Sequence, residues 1–384
     1  MQLYVLDRNF TVLGIIDNYE CLMWKRNYYK SSIFSMQIIP TFEQFELLKK
    51  GNILLKNDNT KEAMYIDHRE LEENEDGEEV LLVEGYSLTQ WIDRRITLYK
   101  QLEKGNAETV IRNYINTNCI DTKDINRKLP NLIQGVNNNL GQEVDYNSHY
   151  KPLLQEIESI ATTNELGYKI DLDLPNKQYI FEVYKGLDRT VNQNLNSKAI
   201  FSTEFENVIK QKYVDSDNNY RNMVLVAGAG EDENRKTLTL GIENEGLNRY
   251  ELFVDARDIS DKESKTRIVT DELTGEEIEE TYEVEIPIET YNKLLEARGN
   301  DKLSEYTKIE TFDCVISNTN NLIYRTDYDL GDKVSIINKK WGLMLNERIV
   351  SITETYDEEG LNIDIEIGNN IPTLIEKIKR KMRR

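Results

Sequence analysis

Cysteine and histidine are scarce in this chain of 384 residues, which has three cysteines, Cys21, Cys119 and Cys314, and two histidines, His68 and His149. An odd number of cysteines so widely spaced indicates no disulfide framework; small buried apolar residues, folded in a reducing compartment, are expected instead. Neither histidine has a partner at metal-ligand spacing, and H-E-x-x-H, C-x-x-C and G-x-S-x-G are all missing. No catalytic, metal or cofactor site is therefore expected. Long apolar runs are missing too, and the opening "MQLYVLDRNFTVLG" lacks a basic n-region and an apolar h-region. A soluble protein is expected, with no membrane insertion and no export signal. Positive charge is in deficit, with 48 Lys and Arg against 69 Asp and Glu and a formal charge of -21. Such a surface repels phosphates, so specific nucleic-acid binding is not expected.

What is present also argues against chemistry. "LVAGAGEDENRKT", 225–237, places Gly228 and Gly230 before Glu231, Asp232 and Glu233. A phosphate cradle needs G-x-x-x-x-G-K-[ST], and three carboxylates at the anion's position would repel it. The stretch reads as two strands joined by a solvated turn. "ENEDGEE" resembles a calcium loop but opens on Glu72 and has Val83 at its twelfth position, and "DSDNNY" has Tyr220 where glycine is required.

The first hundred residues carry short β-branched and aromatic runs, "QLYVLD", "TVLGII", "IFSMQIIP", "NILLKN", "AMYIDHREL" and "EEVLLVEGY", separated by turn signals. In "SLTQWIDRRITLYKQ" the period changes: Leu88, Trp91, Ile92 and Ile96 share one face, which predicts a helix over 87–98 with Ser87 as its N-cap. Two amphipathic helices, "AETVIRNYINTNC" and "YKPLLQEIESIATTNELG", and a hairpin around Pro175 follow as an insert. A charged hairpin with its tip at Thr274-Gly275 and a helix from Ile288 form a second insert, and "IPTLIEKIKRKMRR" predicts a basic terminal helix.

The two ends of the chain repeat one order of parts. Gly51 and Gly331 each open a strand, the next strand turns through an acidic loop at Gly77 and Gly360, and the return strand reaches Gly85 and Gly368. The fold expected is α+β, predominantly β: two related antiparallel β-barrel domains with α/β inserts. The divisions are a first barrel with closing helix at 1–105, an insert at 106–198, strands completing the first barrel and crossing to the second at 199–240, a hairpin and helix insert at 241–305, the second barrel at 306–370, and the basic helix at 371–384.

"LVEGYSLTQWIDRRI", "NMVLVAGAGEDENRKT" followed by "YELFVDARDIS", and "YDLGDKVSII" together resemble the siphophage tail hub proteins, Gp37-like, akin to the amino-terminal part of tail-associated lysins and to the baseplate hub of contractile tails. The resemblance implies a ring-forming hub: a homotrimer whose six barrels match a hexameric tail tube. It implies a distal tail or tail-tube protein above, a fibre, spike or lysin below, passive DNA passage, assembly in the bacterial cytoplasm and residence at the virion tail tip. Subunit contacts are expected at Trp91, Arg94 and Arg95 and in the basic end, Lys377, Lys379, Arg380, Lys381, Arg383 and Arg384. A cell-wall hydrolase and a receptor-binding module are the alternatives.

Overall fold

The computed structural model describes residues 1–73, 77, 79–99, 101–241, 245–270, 277–316 and 322–368. The predicted terminal helix, with its six basic residues, and the tip at Thr274-Gly275 lie outside them. The chain divides into two units, 1–214 with 310–384, and 215–309.

The larger unit is built on a 16-stranded sheet. Alternation in the sequence explains its layering: Leu54, Met64, Ile66, Leu81 and Val83 point into one core with Trp24 and Phe34, whereas Val334, Ile336, Ile349, Ile352, Ile365 and Ile367 fill another with Phe312 and Phe201. These cores belong to two copies of one strand arrangement. In the first, Cys21–Asn27, Ile33–Ile38, Glu79–Ser87, Asn59–Glu73 and Ile53–Lys56 lie side by side in that order; in the second, Val208–Ser216, Ile309–Ile316, Gly360–Gly368, Leu343–Asp357 and Lys333–Asn338 do.

The repeat extends to single hydrogen bonds. The Gly51 N–H donates to the Ile66 carbonyl at 2.7 Å, and the Gly331 N–H to the Ile349 carbonyl at 2.9 Å. Ile66 returns a bond to Asn52, and Ile349 one to Asp332. The ladder then slips by one residue, between Ile66 and His68 in one copy and between Ile349 and Ser351 in the other. A bulge adds one unpaired residue and bends the strand, so a bulge at one place in both copies gives both the same bend.

The register corrects one glycine pairing. Phe34 faces Gly85 and Ile33 faces Tyr86, while Phe312 faces Ile367 and Thr311 faces Gly368. Gly85 thus corresponds to Ile367, and Gly368 to Tyr86. Glycine is needed at 85 because a Cβ there would stand 1.9 Å from the Tyr65 carbonyl oxygen.

The first insert folds over a third core. Helices Ala107–Ile115 and Leu153–Thr163 pack with the hairpin Gly167–Asp173 and Gln178–Tyr184. Asn106 caps the first helix by accepting the Thr109 N–H at 2.9 Å. The helix predicted over 87–98 is instead a short 3-10 segment, Leu88–Arg94. The Ser87 hydroxyl is taken by the Ser32 N–H at 2.9 Å and caps nothing, and by Arg95 the backbone is extended, φ -124 and ψ 149.

In the smaller unit, Met223–Ala227 pairs antiparallel with Thr237–Gly241 and parallel with Glu251–Asp255. Tyr291 and Leu295 of the helix Ile288–Ser304 are buried with Val224, Val226 and Val254. The strands Met223–Ala227 and Thr237–Gly241, which the sequence placed in the stretch completing the first barrel and crossing to the second, pair with each other inside this unit. It enters the chain between Val208–Ser216 and Ile309–Ile316, where the first repeat has only the turn 28–32.

Candidate assembly site at the junction of the repeats

The two copies meet where Cys21–Asn27 of the first pairs antiparallel with Leu343–Asp357 of the second, from Asn27 opposite Ser351 to Leu22 opposite Tyr356. Period-2 alternation sends Trp24 and Arg26 to one face of this seam, and Glu354 comes to the same face because it sits opposite Trp24. Lys56, at the end of Ile53–Lys56, reaches Glu354 at 2.5 Å, and both side chains are almost wholly buried, 0% and 1% exposed. Around them Arg26 contacts Glu62 at 3.1 Å and Asp329 at 2.5 Å, and Arg325 contacts Glu354 at 2.9 Å and Glu62 at 3.4 Å. The Trp24 indole N–H donates to Glu62 at 2.9 Å, and the Tyr356 hydroxyl donates to Glu354 at 2.7 Å.

Three cations, Lys56, Arg26 and Arg325, thus meet three carboxylates, Glu62, Glu354 and Asp329. Burial pushes the Glu354 carboxyl up, but Lys56, Tyr356 and Arg325 together outweigh it and hold it at about 2. Burial also acts against the charged form of Glu62, and Arg26 and Lys56 still bring it below its ordinary value. A matched buried cluster of this kind does not gain much over apolar packing, but it penalises every arrangement that separates the partners. It fixes how the second copy's long strand sits on the first copy.

The alignment of sequence motifs did not single out these residues. Their one local signal is Lys56 ending the otherwise apolar run "ILLK", since the partners lie some 300 positions away.

The sequence-predicted residues are placed elsewhere. Trp91 is 8% exposed and packs edge-on against Tyr179 at 5.0 Å and against Tyr65 at 5.6 Å. Arg94 is exposed, its guanidinium over the Tyr65 ring at 5.3 Å. Arg95 donates to the backbone carbonyls of Arg127 at 2.6 Å and Arg94 at 3.0 Å.

In the glycine stretch the donors are engaged within the unit itself. The Gly228 N–H donates to the Lys236 carbonyl at 2.8 Å, the Ala229 N–H to the Tyr291 hydroxyl at 2.7 Å, and the Arg235 side chain to the carbonyls of Ala227 and Gly228. These donors are used in closing the turn. His68 is exposed with Glu70 at 3.5 Å, and burial pushes the Cys119 thiol up to about 12. Among the described residues no group of His, Cys, Asp and Glu could hold a metal ion, and no helix is long and apolar enough to cross a membrane.

The fold is found in solved structures over its whole length. The 43 kDa tail protein of a Shewanella oneidensis prophage has a TM-score of 0.56 at 11% identity, covering 96% of this chain and 98% of that one. A tail protein from Neisseria meningitidis gives 0.53 at 11%, covering 96% and 97%. A prophage tail protein from Listeria monocytogenes gives 0.51 at 10%, covering 100% and 99%. No curated protein matches the sequence. The family described as Siphovirus ReqiPepy6 Gp37-like protein matches residues 2–369, and the chain belongs to that Gp37-like family.

Proposed function

We propose that the protein is a structural component of a phage or prophage tail: a hub that forms a ring between the tail tube and the tail tip and leaves a passage for DNA. The observation that carries this reading is the repeat, two copies of one strand order in one chain with a bulge at one place in both. Three such chains present six related faces, so a threefold ring can meet a sixfold tube. Membership of the Gp37-like family and the likeness to prophage tail proteins support it.

In this reading each copy forms a barrel, the homotrimer binds a distal tail or tube protein on one side and a fibre, spike or lysin on the other, and the chain has no catalytic role. The acidic surface lets DNA pass without adhering, because tight binding needs cations that replace the phosphate counterions. Arg94 and the basic residues from Lys377 to Arg384 contact neighbouring subunits. Assembly takes place in the host cytoplasm before the hub joins the virion. Electron microscopy of tails carrying the tagged protein tests this: a threefold ring at the tube's end is expected. A protein found only in fibres, or cell-wall lysis by the purified chain in a zymogram, would overturn it.

A further inference from the structure

The two long strands share a length, a bulge and their backbone bonds, yet differ on one side. Beyond its bulge, Leu343–Asp357 has Gly360–Gly368 on one edge and Cys21–Asn27 on the other. Beyond its own bulge, Asn59–Glu73 pairs with Glu79–Ser87 over His68 to Glu73, and among the described residues no strand pairs with the opposite edge of that segment. A bare strand edge is a template for another chain.

The second copy holds the strand that would fill it. Val208–Ser216 lies beside Ile309–Ile316 as Cys21–Asn27 lies beside Ile33–Ile38, and it ends the sheet, with no described strand on its outer side. Each chain therefore carries the two halves of the junction that meet at its own centre: a covering strand in the second copy, and a long strand awaiting cover in the first.

We infer that the edge at His68 to Glu73 is covered by Val208–Ser216 of a second copy of this chain, repeating between chains the junction that each makes within itself. The inference rests on the ring proposed above and names the contact that closes it. The pairing is antiparallel, as at the internal junction. Charge favours this occupant: Glu70 and Glu72 fall on one face of their strand, and Lys210 and Lys212 on one face of theirs. An antiparallel register with Lys212 opposite Glu70 and Lys210 opposite Glu72 matches opposite charges across the ladder. It also brings Leu71, 47% exposed, and Ile209, 67% exposed, to the other face as diagonal neighbours. A contact between two different edges is head-to-tail, and repeated by rotation it closes into a ring in which junctions within and between chains alternate.

The test is the mass of the full-length protein by light scattering, with circular dichroism to check folding. The wild type is expected to be a trimer. Glu70→Lys with Glu72→Lys, or Lys210→Glu with Lys212→Glu, should give folded monomer, and all four changes together should restore the trimer. A wild-type trimer that survives either reversal, or a fourfold variant that stays monomeric, would overturn the strand pairing and leave the ring standing on other contacts. A wild type that is monomeric at every concentration, with no ring in assembled tails, would remove both the ring and this inference.

Discussion

The strands Asn59–Glu73 and Leu343–Asp357 are both fifteen residues long, bulge after Ile66 and Ile349, and receive a glycine N–H at that point, yet their surroundings have diverged. Beyond the bulge the second carries Ile352 and Glu354 into buried company, whereas the first carries Glu70, Leu71, Glu72 and Glu73 to the surface. Backbone geometry has been kept and side chains have been specialised: the covered edge has a buried ion cluster, and the edge with no partner strand among the described residues has exposed acids. The difference teaches that a duplicated strand retains its hydrogen bonds while its outer edge is free to acquire a different partner.

The largest effect is expected at the covered edge. Lys56→Met removes the ammonium facing Glu354 and should cost about 3–5 kcal/mol, the usual range for breaking one side of a buried ion pair. Chemical denaturation of the larger unit measures it. Little or no loss would mean that Arg325 and Tyr356 alone hold the carboxylate.

Acid tests the same cluster without mutation. The folded Glu354 carboxyl titrates at about 2, below its ordinary value of 4.5, so its contribution is present above pH 4.5 and is lost as pH falls toward 2. The amount is on the order of 3 kcal/mol. The melting temperature should fall across that window more steeply in the wild type than in Glu354→Gln, and equal slopes would assign the acid sensitivity elsewhere.

The paired glycines compare the two copies directly. Gly331 has φ 92 and Gly51 has φ 89, a region costly for any residue with a Cβ. An added methyl at 331 would lie 2.3 Å from the Tyr28 ring, which is packed among Tyr29 and Tyr184, while at 51 it would meet the end of the Arg8 side chain at 2.5 Å. Gly331→Ala should therefore cost about 2–4 kcal/mol and Gly51→Ala about 1–2 kcal/mol, because an arginine can swing aside and a packed ring cannot. Equal melting temperatures for the two variants would contradict this asymmetry.

The smallest effect is expected in the other unit. Glu231→Ala with Glu233→Ala should shift the denaturation midpoint by no more than about 0.5 kcal/mol, since both are exposed and the turn is closed by Arg235 and backbone bonds. Asp232 is left in place because its φ is 47.

Local pattern was enough to place many elements. Alternating runs located the strands around the repeat, the hairpin at Pro175 and the turn after Gly228, because a strand buried on one face writes its period directly into the sequence. The glycines at 51 and 331 marked the same backbone conformation in both copies, since few residues other than glycine adopt it readily. Pattern misled at 87–98, where an apolar stripe of helical spacing folds as a 3-10 turn whose supposed cap bonds to Ser32. It also did not separate Met223–Ala227 and Thr237–Gly241 from the strands of the barrels, because sequence order does not say which neighbour a strand pairs with.

By itself, then, the sequence determined the β-rich character, the duplication and the lack of a recognisable catalytic motif, all of which depend on residue types and short spacings. Only the tertiary structure decided that Lys56 meets Glu354, that Cys21–Asn27 of one copy covers the long strand of the other, and that the corresponding edge at His68 to Glu73 has no such cover among the described residues. Contacts across some 300 residues leave no periodic trace in a single chain. They follow from which edges hydrogen-bond and which charges are buried together, and those are properties of the folded chain.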